Sequence, residues 1–533
     1  MAGQLAGVPL DPIVGLRGAV VTNDGDTVAH SSGSVPSGPD AYGAPITVSA
    51  IGSLISAGIG ATLPLNWGTG VYNQYGQAHE TGISTGASGA VTNSGAVDTG
   101  AVSGGTAAKV GTLRLSDLTG LGTTLAGLTD VELAVGAVAA LATMDGCPMA
   151  WDDRTAPSGS ELQRSYLLSS LDAQLTSQVL RQLTGTGGTV PTAVGTLQSG
   201  LTGLIGTPTT SGTAETSIGN SVLSSLTGTV SGLLGAISTP LLALSIGNGH
   251  EVSVGVGIDL TAVTNYLTGP LTDGVVTVDL ASGRVSVNID ALSGGLNNRL
   301  PNTRLLTGPN LADVVDRVDA LLAQRLAQIN TALTTALNAA TVSISVDVKV
   351  AATLLAVWPL PGIGPVNALN VHLGYTGSLA QFAAGTQTVT GPSVSLLSGT
   401  GIGDALLNPL LGSLTTALLN PVLTVVTPGV VSVVATQLTT PITGLIATVL
   451  TTTTTALSST ITALDPVLQT LAAIVDITVN AQPDVAPYPA PPTPSTTGEF
   501  HVSALRIGVL NAPAGSSLLS LSLANASVGA NGR

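Results

Sequence analysis

Apolar positions along this chain follow two periods, and the period switches several times. Gly82–Val91 reads "GISTGASGAV". One parity holds Ile83, Thr85, Ala87, Gly89 and Val91; the other holds Ser84, Gly86, Ser88 and Ala90. Successive side chains of a strand point to opposite faces, so these small residues predict a strand closely covered by another backbone. "IVGLRGAVVTNDGDTVAH" predicts two strands around a turn at Asn23-Asp24-Gly25. From residue 160 the spacing lengthens. Leu162, Leu167, Leu168, Leu171, Leu175, Val179 and Leu183 recur mostly at steps of three and four. That predicts an amphipathic helix opened by Ser160 and Gln163 and stopped by Gly185.

Alternation returns beyond residue 250. Val276, Val278, Leu280, Val285, Val287 and Ile289 lie on one face of a hairpin whose loop is Ala281-Ser282-Gly283-Arg284. Thr277, Asp279, Ser286, Asn288 and Asp290 make its wet face. Leu311, Val314, Val315, Val318, Leu321, Leu322, Ile329, Leu333 and Leu337 then form one helical stripe over 310–338. At 1.5 Å per residue that helix would run roughly 40 Å. Strands follow in "VSISVDVKV", "NALNVHLGYTG" and "TQTVTGPSVSLL". Residues 402–475 read as helix with breaks, although the run Thr451–Thr455 weighs against helix. "AQPDVAPYPAPPTPSTTG" reads as a surface loop, and the last segments alternate again.

These patterns predict an α+β, β-rich fold. Antiparallel sheets in sandwich-like layers pack with long amphipathic helices, in an elongated multi-part body. The expected parts are a β-rich region rich in Gly, Ser, Thr and Val at 1–155, a helical Leu-rich segment at 156–247, and strands with the long helix at 248–400. An uncharged Leu/Thr helical segment at 401–476 and a Pro-rich loop with final strands at 477–533 complete one or two domains.

Composition narrows the class. Apolar residues make up 44% of the 533 and charged residues only 8%, against roughly 25% charged in a typical soluble chain. Such a chain does not have the composition of a disordered one. Its surface must be wetted by Thr, Ser, Asn, Gln and backbone, which resists self-association poorly. Net charge is −15 and the only lysines are Lys109 and Lys349. A nucleic-acid partner needs a basic stripe to displace counterions, so none is expected. Cys147 is the sole cysteine, which excludes an intrachain disulfide. No secretion signal is read in "MAGQLAGVPLDPIVG", and no transmembrane segment is expected, because Pro421, Pro428, Pro441 and many threonines interrupt the uncharged stretch between Asp404 and Asp465.

Candidate chemistry is sparse. Gly82-Ile83-Ser84-Thr85-Gly86 fits G-x-S-x-G, the pattern that puts a serine nucleophile on a turn between strand and helix. No helical period follows it, and a chain this rich in Gly and Ser produces such matches by chance. The structural strand is the preferred reading. His30, His79, His250, His372 and His501 never fall within one helical turn of each other, and no zinc pattern exists. His79-Glu80 and His250-Glu251 are adjacent pairs that a strand would point apart. Asp24 with Asp26, and Asp152-Asp153, suit calcium outside a cell, but turn chemistry and solvated surface account for them. Trp67, Tyr72 and Tyr75 cluster as a glycan platform would, with core packing as the plainer explanation. No residue is assigned a catalytic, cofactor-binding or metal-binding role, and no cofactor is expected.

A resemblance adds to this. "VYNQYGQAHETGISTGASGAVTNSGAV" resembles the N-terminal signature of the choice-of-anchor G family of actinobacterial surface proteins. "AGQLAGVPLDPIVGLRGAVV" is similar to that family's mature start. "VTVDLASGRVSVNIDALSGGLNNRLPNTRLL" resembles its central strands with an "LPNT-LL" module. "VSALRIGVL" and "LSLANASVGANG" resemble its last strands. The resemblance implies secretion and a cell-surface or cell-wall location, and it carries no catalytic residues. The expectation is a non-catalytic extracellular structural or adhesive protein, self-assembling as a homo-oligomer or polymer and contacting a cell-envelope component. The alternatives are a binding module for cell-wall glycan or an apolar ligand, through Trp67–Tyr75 or the uncharged 405–464 segment, and a secreted serine hydrolase using Ser84.

Overall fold

The computed structural model describes residues 2–5, 8–9, 18–48, 65–98, 110–115, 128–152, 154, 157–184, 188–205, 224, 227–228, 231–232, 234–235, 238, 242–247, 251–354, 363–396, 424, 427–433, 436–437, 440–486, 498–509 and 519–529. Two compact units emerge. The first comprises Met1–Gly185, Gly269–Ala323 and Ser458–Arg533; the second comprises Thr186–Thr268 and Gln324–Leu457.

Among the described residues, three large sheets and a two-stranded ribbon, Val21–Asn23 with Val28–His30, build the first unit. A terminal sheet joins the two ends of the chain: Val8–Pro9, Ala2–Leu5, Leu519–Gly529, Glu499–Val509, Val475–Ala481 and Thr303–Arg304, in that order. An N-terminal sheet runs Leu162–Leu168, Val138–Asp145, Ile83–Gly89, Val71–Ala78, Ala41–Gly43 and Val35–Gly38, with Ile46–Thr47 also on Val71–Ala78. A middle sheet runs Leu271–Thr272, Val276–Asp279, Arg284–Asn288, Leu171–Ser177, Leu128–Val135, Gly111–Arg114 and Leu65–Trp67. The second unit holds one sheet, in which Leu242–Ile246 and Glu251–Gly257 both pair Thr341–Leu354, followed by Ile363–Ser378 and Thr388–Leu396.

The stretch expected as a helix at 160–185 is corrected. Leu162–Leu168 and Leu171–Ser177 are strands, and only Gln178–Thr184 is helical. Leu171, Ala173, Leu175 and Ser177 are buried while Asp172, Gln174 and Thr176 are half-buried, so the governing period is two. Leucines at 171 and 175 satisfy both periods, and the tertiary pairing decides. The start signal was displaced as well: Ser158 and Glu161 form the capping box, on a 3-10 turn at Gly159–Glu161. Ser169-Ser170 carries the chain from the N-terminal sheet into the middle sheet, and Gly136-Ala137 beside it makes the reverse crossing. The two corners bond each other, Ser169 N–H to the Ala137 carbonyl at 2.9 Å and Gly136 N–H to the Ser170 carbonyl at 3.0 Å. A β-carbon at Gly136 would strike both serine hydroxyls and sit 3.0 Å from the Ser170 nitrogen, which accounts for the glycine.

The expected fold class is corrected too. Strand makes up 44% of the described residues and helix 33%. Long amphipathic helices are not the layer that covers the sheets. Gly308–Ala339, Thr440–Ile474 and Thr189–Ile205 apart, the described helices have eight residues or fewer. Sheets cover sheets instead. Glu499–Val509 and Leu519–Gly529 pack across Ile83–Gly89, Val138–Asp145 and Leu162–Leu168. The physical reason lies in side-chain size. Ala140, Ala142, Ala504 and Ala526 are buried in these strands, and such small residues let two pleated faces meet without an intervening helix.

Thr440–Ile474 is one continuous helix through the threonine run. Thr448, Thr451, Thr453 and Thr454 each donate a hydroxyl bond to the carbonyl four residues back, at 2.8–2.9 Å. Those bonds satisfy the hydroxyls without leaving the helix. Residues 401–423 of the expected uncharged segment, and 487–497 of the Pro-rich loop, lie outside the described residues.

An apolar cavity of about 20 Å³ lies between Leu133, Ala173, Leu175, Val287, Leu311 and Val475, among others, with no polar lining. A space of that size and chemistry stays dry. Ala173→Val is expected to fill part of it and raise stability by about 0.5–1 kcal/mol, read as a higher urea midpoint.

Candidate functional site

Ser84 lies on the extended strand Ile83–Gly89 and not on a turn. Its strand partners are Ala78 on one side and Met144 on the other. The next residues continue the ladder to Gly89, where a nucleophile elbow would begin a helix. The Ser84 Oγ is buried and makes no hydrogen bond. The nearest imidazole along the chain, His79, is turned elsewhere: its Nδ1 lies 3.1 Å from the Asp40 carboxylate, and its main-chain N–H donates to the carbonyl of Ile83 at 2.8 Å. Ile83 and Ser84 point to opposite faces, so His79 and Ser84 stand on opposite sides of the sheet.

The small residues around Ser84 set the distance between sheets. A β-carbon on Gly86 would collide with the Ser527 carbonyl oxygen and lie 3.3 Å from the Ser527 nitrogen. One on Gly89, whose φ is +103°, would collide with the Val138 carbonyl oxygen. The opposite parity, Ala87 with Tyr75, Ala139 and Ala41, belongs to a separate apolar cluster. The strand is therefore covered on both faces from Gly86 to Gly89, whereas Ile83 at its start is exposed.

The aromatic cluster divides. Tyr72 and Tyr75 are buried, and a β-carbon on Gly95 would sit 2.5 Å from the Tyr75 ring. Burial pushes both phenols above their ordinary pKa. They offer no platform for a sugar. The side chain of Trp67 lies outside the described residues. Among the described residues the aromatic that does stand open is Trp151, 88% exposed at the end of the short helix Cys147–Trp151. Cys147 is an exposed free thiol in that helix, and its N–H donates to the Asp145 carboxylate at 3.2 Å.

The acidic pairs serve local structure. The Asp24 carboxylate accepts from the N–H groups of Thr27 at 2.7 Å and Asp26 at 3.1 Å. Those backbone bonds hold its pKa below the ordinary value. Asp152 lies 3.3 Å from Arg154, which also grips Glu161 at 2.6 Å; Asp153 lies outside the described residues. The Arg154 bond, then the Ser158 N–H, hold the Glu161 carboxyl down at about 2. A depressed carboxylate stabilises the fold above its unfolded pKa and loses that contribution as pH falls through its folded value. A carbonyl-carbon NMR titration is expected to place the Glu161 midpoint near 2 and to lose the Arg154 contact only below it. His250 lies outside the described residues. His372 pairs Asp347 at 3.1 Å, and His30 stacks on Tyr42 with ring centroids 3.9 Å apart.

Two polar clusters of the first unit were not foreseen. The loop after the helix Ile289–Ser293 carries "GGLNNRLPNT" and bonds two sheets. Tyr166 donates its hydroxyl to the Leu296 carbonyl at 2.7 Å, and Asn297 bonds both backbone groups of Leu168, at 2.8 and 3.0 Å. Asn302, buried at φ +59°, accepts from the Gln482 N–H at 2.7 Å and donates to the Gln482 and Val485 carbonyls. Asn480 donates to the Arg299 carbonyl at 2.9 Å. The loop thus ties a strand of the N-terminal sheet to a strand of the terminal sheet. Nearby, Asp476 meets Arg506 at 3.0 Å and Arg304 at 2.7 Å. Asp476 and Arg506 are both almost fully buried. The sequence signal was the density of asparagine in "LNNRLPNT", a residue that tolerates left-handed backbone and bonds main chain on both sides.

With the geometry assembled, comparison with known proteins is brief. A family model described as a domain of unknown function, DUF8394, matches residues 1–529. The chain belongs to that family. No curated protein and no solved structure matches it. Among the described residues of this DUF8394 chain, no group of three or more His, Cys, Asp or Glu side chains is placed to hold a metal ion. Among them, too, no helix is long and apolar enough to cross a membrane.

Proposed function

We propose that this DUF8394 protein is a non-catalytic structural or adhesive element of a cell surface or extracellular matrix, acting by contact and self-assembly. The observation that carries this reading is the position of Ser84. The one motif that suggested a reaction lies in an extended strand inside a sheet, with its serine hydroxyl shut away from solvent. Two further features support it. The N-terminal and terminal sheets meet through Gly, Ser and Ala, an arrangement suited to a stiff body. The sequence also carries few charges and a net charge of −15, leaving Ser and Thr to wet its surface. The extracellular location is supported by the resemblance to choice-of-anchor G surface proteins.

A fluorophosphonate probe for activated serines tests the reading against its rival. The wild-type chain is expected to show no labelling that Ser84→Ala removes. Labelling lost in Ser84→Ala would make the protein a serine enzyme and overturn the proposal. Antibody fractionation of native cells tests the location: the protein is expected with the envelope, and recovery in the cytosol would contradict it.

A further inference from the structure

Only two lysines occur in the chain, and one of them has a specific place. Lys349 in Thr341–Leu354 stands directly opposite Asn370 in Ile363–Ser378. Val348, Val350, Leu369 and Val371 are almost fully buried, so Lys349 and Asn370 share the other face of the sheet. Both are half-buried there. Residues directly opposite in an antiparallel pair have β-carbons roughly 4.5–5.5 Å apart, within reach of a lysine side chain. On the far side of Lys349, Leu242–Ile246 pairs as far as Val350, and Glu251–Gly257 begins opposite Asp347. Among the described strands, Asn370 is therefore the cross-strand neighbour of Lys349.

Asp347 completes the group. Its Oδ1 accepts from the Asn370 Nδ2 at 3.0 Å and lies 3.1 Å from the His372 Nδ1. Asp347 and Lys349 are the only Asp, Glu, Lys or Arg residues from 341 to 396. The Asn370 Oδ1 is buried and makes no hydrogen bond. The amide is thus held by a carboxylate at its nitrogen and shut from water at its carbonyl, which favours attack by a neighbouring side chain over hydrolysis.

Resting on the reading of a structural body above, we propose that Lys349 and Asn370 join in an intramolecular amide bond, a covalent staple between two strands of this sheet. The Lys349 ammonium passes a proton to the Asp347 carboxylate, and the freed lone pair of Nζ bonds the Asn370 Cγ. Asp347 hands the proton to Nδ2, the Cγ–Nδ2 bond breaks, and the amide nitrogen leaves. It departs as NH4⁺, carrying both protons that the lysine ammonium loses, so the step is redox-neutral. Asp347 is placed for this transfer because it already touches the leaving nitrogen. Strand pairing holds nucleophile and amide together, which makes the reaction intramolecular. A chain with one cysteine has no disulfide to close such a link, and an amide also withstands reduction.

Mass spectrometry of the full chain tests this. Wild type is expected to be lighter than its sequence by one ammonia. A protease that cuts after lysine is expected to skip Lys349. Cleavage between residues 350 and 369 is expected to leave the two fragments joined through Lys349 and Asn370. Lys349→Arg keeps the charge without a nucleophilic amine, and Asp347→Asn keeps the shape without a proton carrier. Both variants are expected to show the full sequence mass. Loss of ammonia that survives Lys349→Arg would mark an asparagine cyclising on its own backbone and overturn the proposal. A wild-type chain at full sequence mass, cut normally after Lys349, would overturn it as well. Either result leaves the structural reading to stand or fall on serine labelling and cell fractionation.

Discussion

Gly86→Val is expected to cost the first unit about 3 kcal/mol or more. The first atom added is the damaging one, because the β-carbon collides with the main chain of Ser527. No flexible side chain can swing aside there. The clash is relieved only if the Leu519–Gly529 strand moves away from Ile83–Gly89, and that movement opens the contact between the two sheets. Ser84→Ala is the matched control. It sits on the same face two residues away, and it removes a buried hydroxyl that has no hydrogen bond to lose. Its effect is expected to stay within about 0.5 kcal/mol, or to be slightly stabilising. Urea unfolding of the two variants beside wild type separates these outcomes. A tolerated valine would mean that the sheets do not meet through this residue.

Breaking the buried ion pair is the second large effect. Asp476→Ala leaves the Arg506 guanidinium without its carboxylate in a site that excludes water, and a cost of about 3–5 kcal/mol is expected. Arg304 also loses its partner, but its side chain is 55% exposed and regains water. The account therefore predicts that Arg304→Ala costs about 1 kcal/mol or less. The double variant Asp476→Leu with Arg506→Met is expected to recover most of the loss, because two apolar groups can replace a matched buried pair. Equal costs for Arg304→Ala and Arg506→Ala would contradict this division of roles.

Sequence reasoning reached some of this and missed the rest for identifiable reasons. The hairpin pairing Val276 with Val287 and Val278 with Val285 was legible because its apolar parity is uninterrupted. The helix Gly308–Ala339 was legible because Leu311, Val314, Val318, Leu322, Ile329 and Leu333 repeat over many turns, and each of these is buried. The two strands within 162–177 were missed because their leucines fit both periods and the deciding partners, Val138–Asp145 and Leu128–Val135, belong to two different sheets built from earlier parts of the chain. Alanine, glycine and serine carry little hydrophobic signal, so a sheet-on-sheet contact made from them does not show as a core. The Asn302 and Asp476 networks join residues more than 170 positions apart, which no local spacing reveals.

The central claim is that the strand bearing Ser84 is packing material held rigidly between two layers. Native-state hydrogen exchange, resolved by peptide across Ile83–Gly89 and Leu519–Gly529, tests it most directly. The account predicts that these amides exchange among the slowest in the chain and are released together by Gly86→Val. Rapid exchange across residues 83–89 in the wild-type protein, with the flanking strands protected, would mark a mobile, solvent-reached segment and contradict the account.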